Sequence, residues 1–237
     1  MVTGTTTKLT TPMKASFAVS SLSGSGMVAI QPPEVAGLPS NLPNPFSELA
    51  GGEVNQVLST CGVRGALFEF MQLEEDGLPA NYNRFFSEWD YRPDETYDRV
   101  EVVRGGRSGI FALSAAAAIG NFVTAVLRTQ MGNLTVSVEA PGDERMDVLD
   151  GGQIPSLKKW YFSVGRQAIE REGARAVGFL GEYGEQFRVA VERDFEGGSI
   201  LLTCKHIDLH NVDNSPSPAF AVAGSNSTAI AGFDPRI

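Results

Sequence analysis

The chain has 237 residues, 42% hydrophobic and 20% charged, which supplies a core and argues against disorder. Its 19 basic and 28 acidic residues leave a net charge of −9 without any basic block, which argues against a free-standing nucleic-acid binder and against binding to anionic membrane surfaces. Cys61 and Cys204 are too few for a disulfide scaffold, and the threonine-rich first 15 residues contain no apolar core of a secretion signal.

Residues 1–47 read as an extended arm, rich in Thr, Ser and Gly, that ends in a proline-rich strap from Pro32 to Pro45. Proline removes backbone donors and fixes φ, so the strap belongs neither in a helix nor inside a sheet. Scattered apolar residues, Phe17 and Leu22 among them, predict that the arm docks on another surface, in the first place a neighbouring copy.

A single globular domain is expected over residues 48–212. It opens with a short helix over Glu48–Leu58 and a partly alternating strand from Val63 to Gln72. The aromatic run from Tyr82 to Tyr97 either pins a loop through ring packing or presents a contact surface. On the second reading Phe85, Phe86, Trp89 and Tyr91 join Phe17 and Leu22 as interface candidates.

Arg99–Val103 reads as a short strand leading into a glycine turn, and then into the longest apolar run, Ser108–Gly132. Four consecutive alanines, apolar residues all round and Gly132 as a stop predict a helix over about 110–130. About 18 residues approach the length that crosses a bilayer. Gly120, Asn121 and Thr124 interrupt the run, however, so the expectation is a helix buried in a soluble core.

Beyond Gly132, Leu134, Val136 and Val138 alternate with Thr135, Ser137 and Glu139, which predicts a strand. The segment from Pro141 to Asp147 reads as a polar turn, Lys158–Gly165 as a strand and Gln167–Arg171 as a short helix. Three further strand-length segments separated by glycine turns predict an antiparallel meander. Residues 213–237 return to the composition of the first arm. The expected fold is therefore α+β: a largely antiparallel sheet packed on one buried central helix, with an arm at each end.

Two places carry residue types suited to binding. Arg104, Gly105, Gly106, Arg107 and Ser108 lie between a strand and the expected helix, where backbone N–H groups and two guanidinium groups suit a phosphate or a nucleic-acid backbone. The turn lacks the lysine of a phosphate-binding loop, and the competing reading is a plain glycine turn capped by Ser108. The second place is Cys204–His210. On a strand Cys204, His206, Asp208 and His210 share one face, but same-face neighbours stand about 7 Å apart. No second ligand cluster completes a site, so no metal and no cofactor is assigned.

No catalytic constellation is visible. These observations predict a structural subunit of a large assembly, a viral or phage virion component such as a capsid, coat or tail protein. Its partners would be other copies and other structural subunits, with nucleic acid possible and no membrane. Its place would be the virion or, failing that, the cytoplasm. The alternative is a metal- or phosphate-binding enzyme using one of the two candidate sites.

Overall fold

Alternating polar and apolar residues dominate the second half of the chain, and in the computed structural model that period becomes strand almost without interruption. The structure describes residues 18–30, 42, 46–49, 56–60, 63–64, 71–80, 94–105, 117–140, 142–171, 182–211, 219–220 and 228–229. In chain order the elements are β1 (Ala18–Ser23), α1 (Gly24–Ile30), β2 (Phe46–Leu49), β3 (Gln56–Thr60), β4 (Val63–Arg64), β5 (Met71–Glu75), β6 (Leu78–Pro79) and β7 (Tyr97–Arg104). There follow β8 (Ala118–Thr124), β9 (Met131–Ala140), β10 (Asp143–Gln153), β11 (Trp160–Arg171), β12 (Glu182–Phe195), β13 (Gly198–Asn211), β14 (Ala219–Phe220) and β15 (Thr228–Ala229).

Two five-stranded sheets make up the body. The first has the order β1-β7-β8-β5-β6, with β5 running parallel to β8 and the other neighbours antiparallel. Its core is apolar: Leu73, Val100, Val102, Ala118 and Phe122 are buried together, with Tyr97 tilted against Phe122 at 5.1 Å between ring centroids. The seven-residue α1 packs on it through Met27, and Ser23 Oγ accepts from Gly26 N at 3.2 Å to cap its first turn.

The second sheet is a plain meander, β9-β10-β11-β12-β13, antiparallel throughout. β12 and β13 have 14 residues each, joined by a tight turn at Glu196–Gly197 where Gly197 adopts φ 95°. At such a φ a side chain is strained, so the glycine fits the turn. The short pairings of β2 with β3, β3 with β4 and β14 with β15 complete the described strands.

The central helix is not there. Residues 118–124 form β8, 125–130 connect, and β9 begins at Met131; residues 106–116 lie outside the described residues. Ile119, Phe122, Val123 and Thr124 are β-branched or aromatic, and β8 lies between β7 and β5 with six of its seven residues buried. A strand covered on both faces shows a continuous apolar run instead of alternation, and periodicity alone cannot tell that run from a buried helix. The fold is accordingly almost all β with one short helix, and the α+β expectation is corrected.

Smaller corrections have related causes. Residues 46–49 and 56–60 are strands where a helix was expected, and Gln167–Arg171 continues β11. The polar turn over Pro141–Asp147 gives way to β10 from Asp143, whose polar residues face inward. The strand at 99–103 and the antiparallel meander are present as read.

Candidate functional site

Strand geometry sends successive side chains to opposite faces, so each meander strand carries two different chemistries. On the outer face Leu134, Val136 and Val138 are 63%, 64% and 66% exposed, and Leu202 on β13 is 66% exposed. The inner face is polar and buried. Arg145, Asp147, Gln167, Arg171, Gln186 and Arg188 all lie there at low exposure. A water-soluble sheet with one covered face has the opposite sense, apolar in and polar out.

Buried polar groups need partners, and the inner face finds them in two ways. Within the meander Arg145 Nε donates to Asp147 Oδ2 at 2.6 Å, and Gln167 Nε2 donates to Asp147 Oδ1 at 3.0 Å. The remaining partners come from the first sheet, which lies against this face. Asn133 Nδ2 donates to Glu95 Oε2 at 2.6 Å, Gln186 Nε2 to Asp94 Oδ2 at 2.5 Å, and Ser163 Oγ to the Ala125 carbonyl at 2.6 Å.

Arg188 is the centre of this contact. Its guanidinium pairs with the Glu75 carboxylate, donates to Tyr97 Oη at 2.5 Å and to Thr124 Oγ1 at 3.1 Å, and sits 4.3 Å from the centroid of the Tyr97 ring. Glu75 Oε1 also accepts from Tyr97 Oη at 2.6 Å and from Lys205 Nζ at 3.3 Å. Burial works to raise the Glu75 carboxyl. The Arg188 and Lys205 cations, with hydrogen bonds from Tyr97 and Arg188, outweigh it and hold the group down at about 2. Burial pushes Asp94 up, against the opposing Arg188 charge and the hydrogen bonds from Thr96.

Close approach of the two sheets requires a glycine. A Cβ built on Gly165 of β11 would overlap the Thr96 side chain, which is itself buried. At the lower end Arg128 bonds Glu192 at 2.7 Å, pairs with Asp194 and lies 4.3 Å from the Tyr161 ring centroid. The first sheet thus sits on the meander as a packed body whose contacts are mainly polar.

The residues singled out from the sequence fall elsewhere. Arg104 ends β7 and donates to Ser20 Oγ at 2.6 Å; Gly105 has φ 90° and its N–H reaches the Ala117 carbonyl at 3.0 Å. Gly106, Arg107 and Ser108 lie outside the described residues, as do Phe17, Phe85, Phe86, Trp89 and Tyr91. Leu22 is on β1, partly buried against the core of the first sheet. Cys204, His206, Asp208 and His210 do share one face, the outer face of β13. His210 lies 3.3 Å from Asp208 and stacks on Tyr183 at 4.6 Å. Among the described residues no group of three His, Cys, Asp or Glu side chains is placed to hold a metal ion.

What sequence reasoning missed is Glu75, Asp94, Tyr97, Arg188 and Lys205. The signal was the alternation in Gln186–Phe195 and Leu201–Leu209, where charged residues recur at every second position. Period fixes that the charges share a face, but the sense of that face depends on what covers it.

No family model matches the chain, and no curated protein matches it. Solved structures do. It is similar to the ferric yersiniabactin uptake receptor FyuA of Yersinia pestis, with TM-score 0.69 and 17% identity over 86% of this chain and 33% of that one. The ferric citrate transporter FecA follows at TM-score 0.66 and 12% identity, covering 84% of this chain and 32% of that one. The pyoverdine outer membrane receptor FpvA of Pseudomonas aeruginosa gives TM-score 0.64 and 13% identity over 82% and 28%.

The chain therefore spans about a third of the length of these neighbours. They are receptors and transporters of the outer membrane, not enzymes. This likeness overturns the expectation of a virion subunit with copies of itself as partners, no membrane, and a virion or cytoplasmic location. Among the described residues no helix is long and apolar enough to cross a membrane, which leaves strands as the spanning elements to consider. The fold of this chain is that of β-barrel outer-membrane receptors.

Proposed function

We propose that the chain forms part of a β-barrel receptor of the outer membrane that takes up small solutes, and that it is not an enzyme. The observation that carries this reading is the reversed polarity of the meander: apolar side chains outside, hydrogen-bonded polar ones inside against the first sheet. A barrel wall needs this arrangement, since lipid lies on one side and a polar lumen on the other. The meander supplies five strands of such a wall. A closed barrel takes about eight or more, so further strands complete it.

The first sheet acts as a plug in the lumen. Its apolar core holds it together, while Glu75, Asp94, Glu95 and Thr124 bind it to the wall through polar contacts. Contacts of this kind break and re-form against water at small net cost, unlike an apolar interface. A solute would pass when the plug shifts. The solute class suggested by the neighbours' names is a ferric chelate.

The test is uptake of radioactive iron, supplied as a panel of chelates to iron-starved cells with and without the gene, together with alkaline extraction of their outer membranes. Chelate-specific loss of uptake and a protein that stays in the membrane pellet support the reading. Unchanged uptake across the panel, or release of the protein into the wash, contradicts it.

A further inference from the structure

The outer face of the meander is not uniformly apolar, and the position of its charges defines a slanted band. The row perpendicular to the strands through Leu134 runs by register across Val148, Arg166 and Phe187 to His206. On β9 the apolar stretch is centred on Val136, flanked by Leu134 and Val138. On β10 it is Met146 and Val148, with Glu144 above and Asp150 below. On β11 it has moved down to Val164 and Phe162, below Arg166. On β12 Val189 and Val191 lie between the levels of Glu185 and Arg193. On β13 the centre is Leu202, between Ile200 and Cys204, with His206 and Asp208 above.

We infer that this stripe is the zone of contact with lipid acyl chains and that its slant records the tilt of the strands in the bilayer. The inference rests on the barrel reading above. Relative to the Leu134 row, Val136 lies two residues up (136 − 134) and Leu202 four residues down (206 − 202), six residues in all. At about 3.4 Å per residue this is a displacement of about 20 Å. It accrues over the four strand-to-strand steps from β9 to β13. At about 4.8 Å each these cover about 19 Å, so the stripe crosses the strands at about 45°.

A bilayer is flat, so an apolar zone made for it follows one level on a tilted wall. Transmembrane barrel strands tilt by about 35–45°, and the slant of the stripe matches that range. A partner protein on the same face would impose no such relation between the stripe and the strand direction. The edges fit as well. Arg166 and Glu185 pair with each other on the upper flank, and on the lower flank Arg193 lies 5.3 Å from the Trp160 ring centroid, a charged head beside an aromatic at a boundary.

Depth-resolved fluorescence quenching tests this. Full-length protein with Cys61→Ser and Cys204→Ser receives one cysteine at a time at positions 136, 164, 202, 134 and 206. Each carries an environment-sensitive dye, in vesicles of phosphatidylcholine brominated at defined acyl positions. Labels at 136, 164 and 202 should report one common depth. The label at 206 should lie about 14 Å above that at 134, the vertical component of a row of about 19 Å tilted by 45°. Equal depth for 134 and 206, with graded depths for 136, 164 and 202, would overturn the slanted band while keeping the wall in the membrane. Absence of quenching at all five positions would sink the barrel reading itself.

Discussion

The two five-stranded sheets differ in what they bury. The plug sheet hides Phe122, Ile119, Val102 and Val103 and is held by the hydrophobic effect, as a water-soluble domain is. The meander hides Arg145, Asp147, Gln167 and Arg188 and exposes Val136 and Leu202. The same period-two alternation underlies both, so the difference lies in solvent. Water surrounds a sheet whose apolar face is covered; lipid suits one whose apolar face is bare.

The sharpest contrast comes from removing an apolar side chain from the plug. Phe122→Ala should cost about 3–5 kcal/mol in plug stability, since the ring is fully buried and packs on Tyr97. Chemical denaturation followed by a probe in the plug checks this, and a loss below 1 kcal/mol would place Phe122 outside the core. The next effect belongs to the contact between the sheets. Glu75→Ala leaves the Arg188 guanidinium buried without its carboxylate, at a cost of about 2–3 kcal/mol after allowance for partial exposure of Glu75. Faster proteolysis of the plug, with the strands of the wall still protected, is the expected signature.

Gly165→Val probes steric fit at the same contact. The added side chain meets Thr96, and overpacking of this kind costs about 1–3 kcal/mol. A Thr96→Ser partner change should recover part of the loss if the clash is local. Removal of the exposed Arg166–Glu185 pair by double alanine substitution should leave thermal stability unchanged.

pH separates the sheets more gently. The Glu75 carboxyl is held at about 2 against an ordinary 4.5, so its folded value is depressed. The stabilisation is fully present above pH 4.5 and is lost as pH falls toward 2. Plug protection from proteolysis should hold from pH 7 to 5 and fall below that window, and Glu75→Gln should remove the dependence.

How much of this was legible varies along the chain. The meander was readable because Leu134, Val136 and Val138 alternate with polar residues, and glycine marks the turn at Gly197. β8 was not, because burial on both faces erases alternation and its alanines and glycine read as helix. The inner polar face was visible as a pattern, but its sense was not. Arg188 and Glu75 are 113 residues apart in sequence, and nothing local relates them. His206, Asp208 and His210 looked like a metal-binding face; their place on the outer flank above the apolar stripe gives them another setting.

The claim on which the account stands is that neighbouring residues of one strand face lipid and lumen. Leu202 and Thr203 are adjacent on β13 and point to opposite faces. The measurement is the folding free energy of Leu202→Arg and Thr203→Arg in phospholipid vesicles. The account predicts a loss of about 2–4 kcal/mol for Leu202→Arg, the cost of an arginine at the level of the bilayer midplane, and little change for Thr203→Arg. Equal losses, or a larger loss at Thr203, would contradict it.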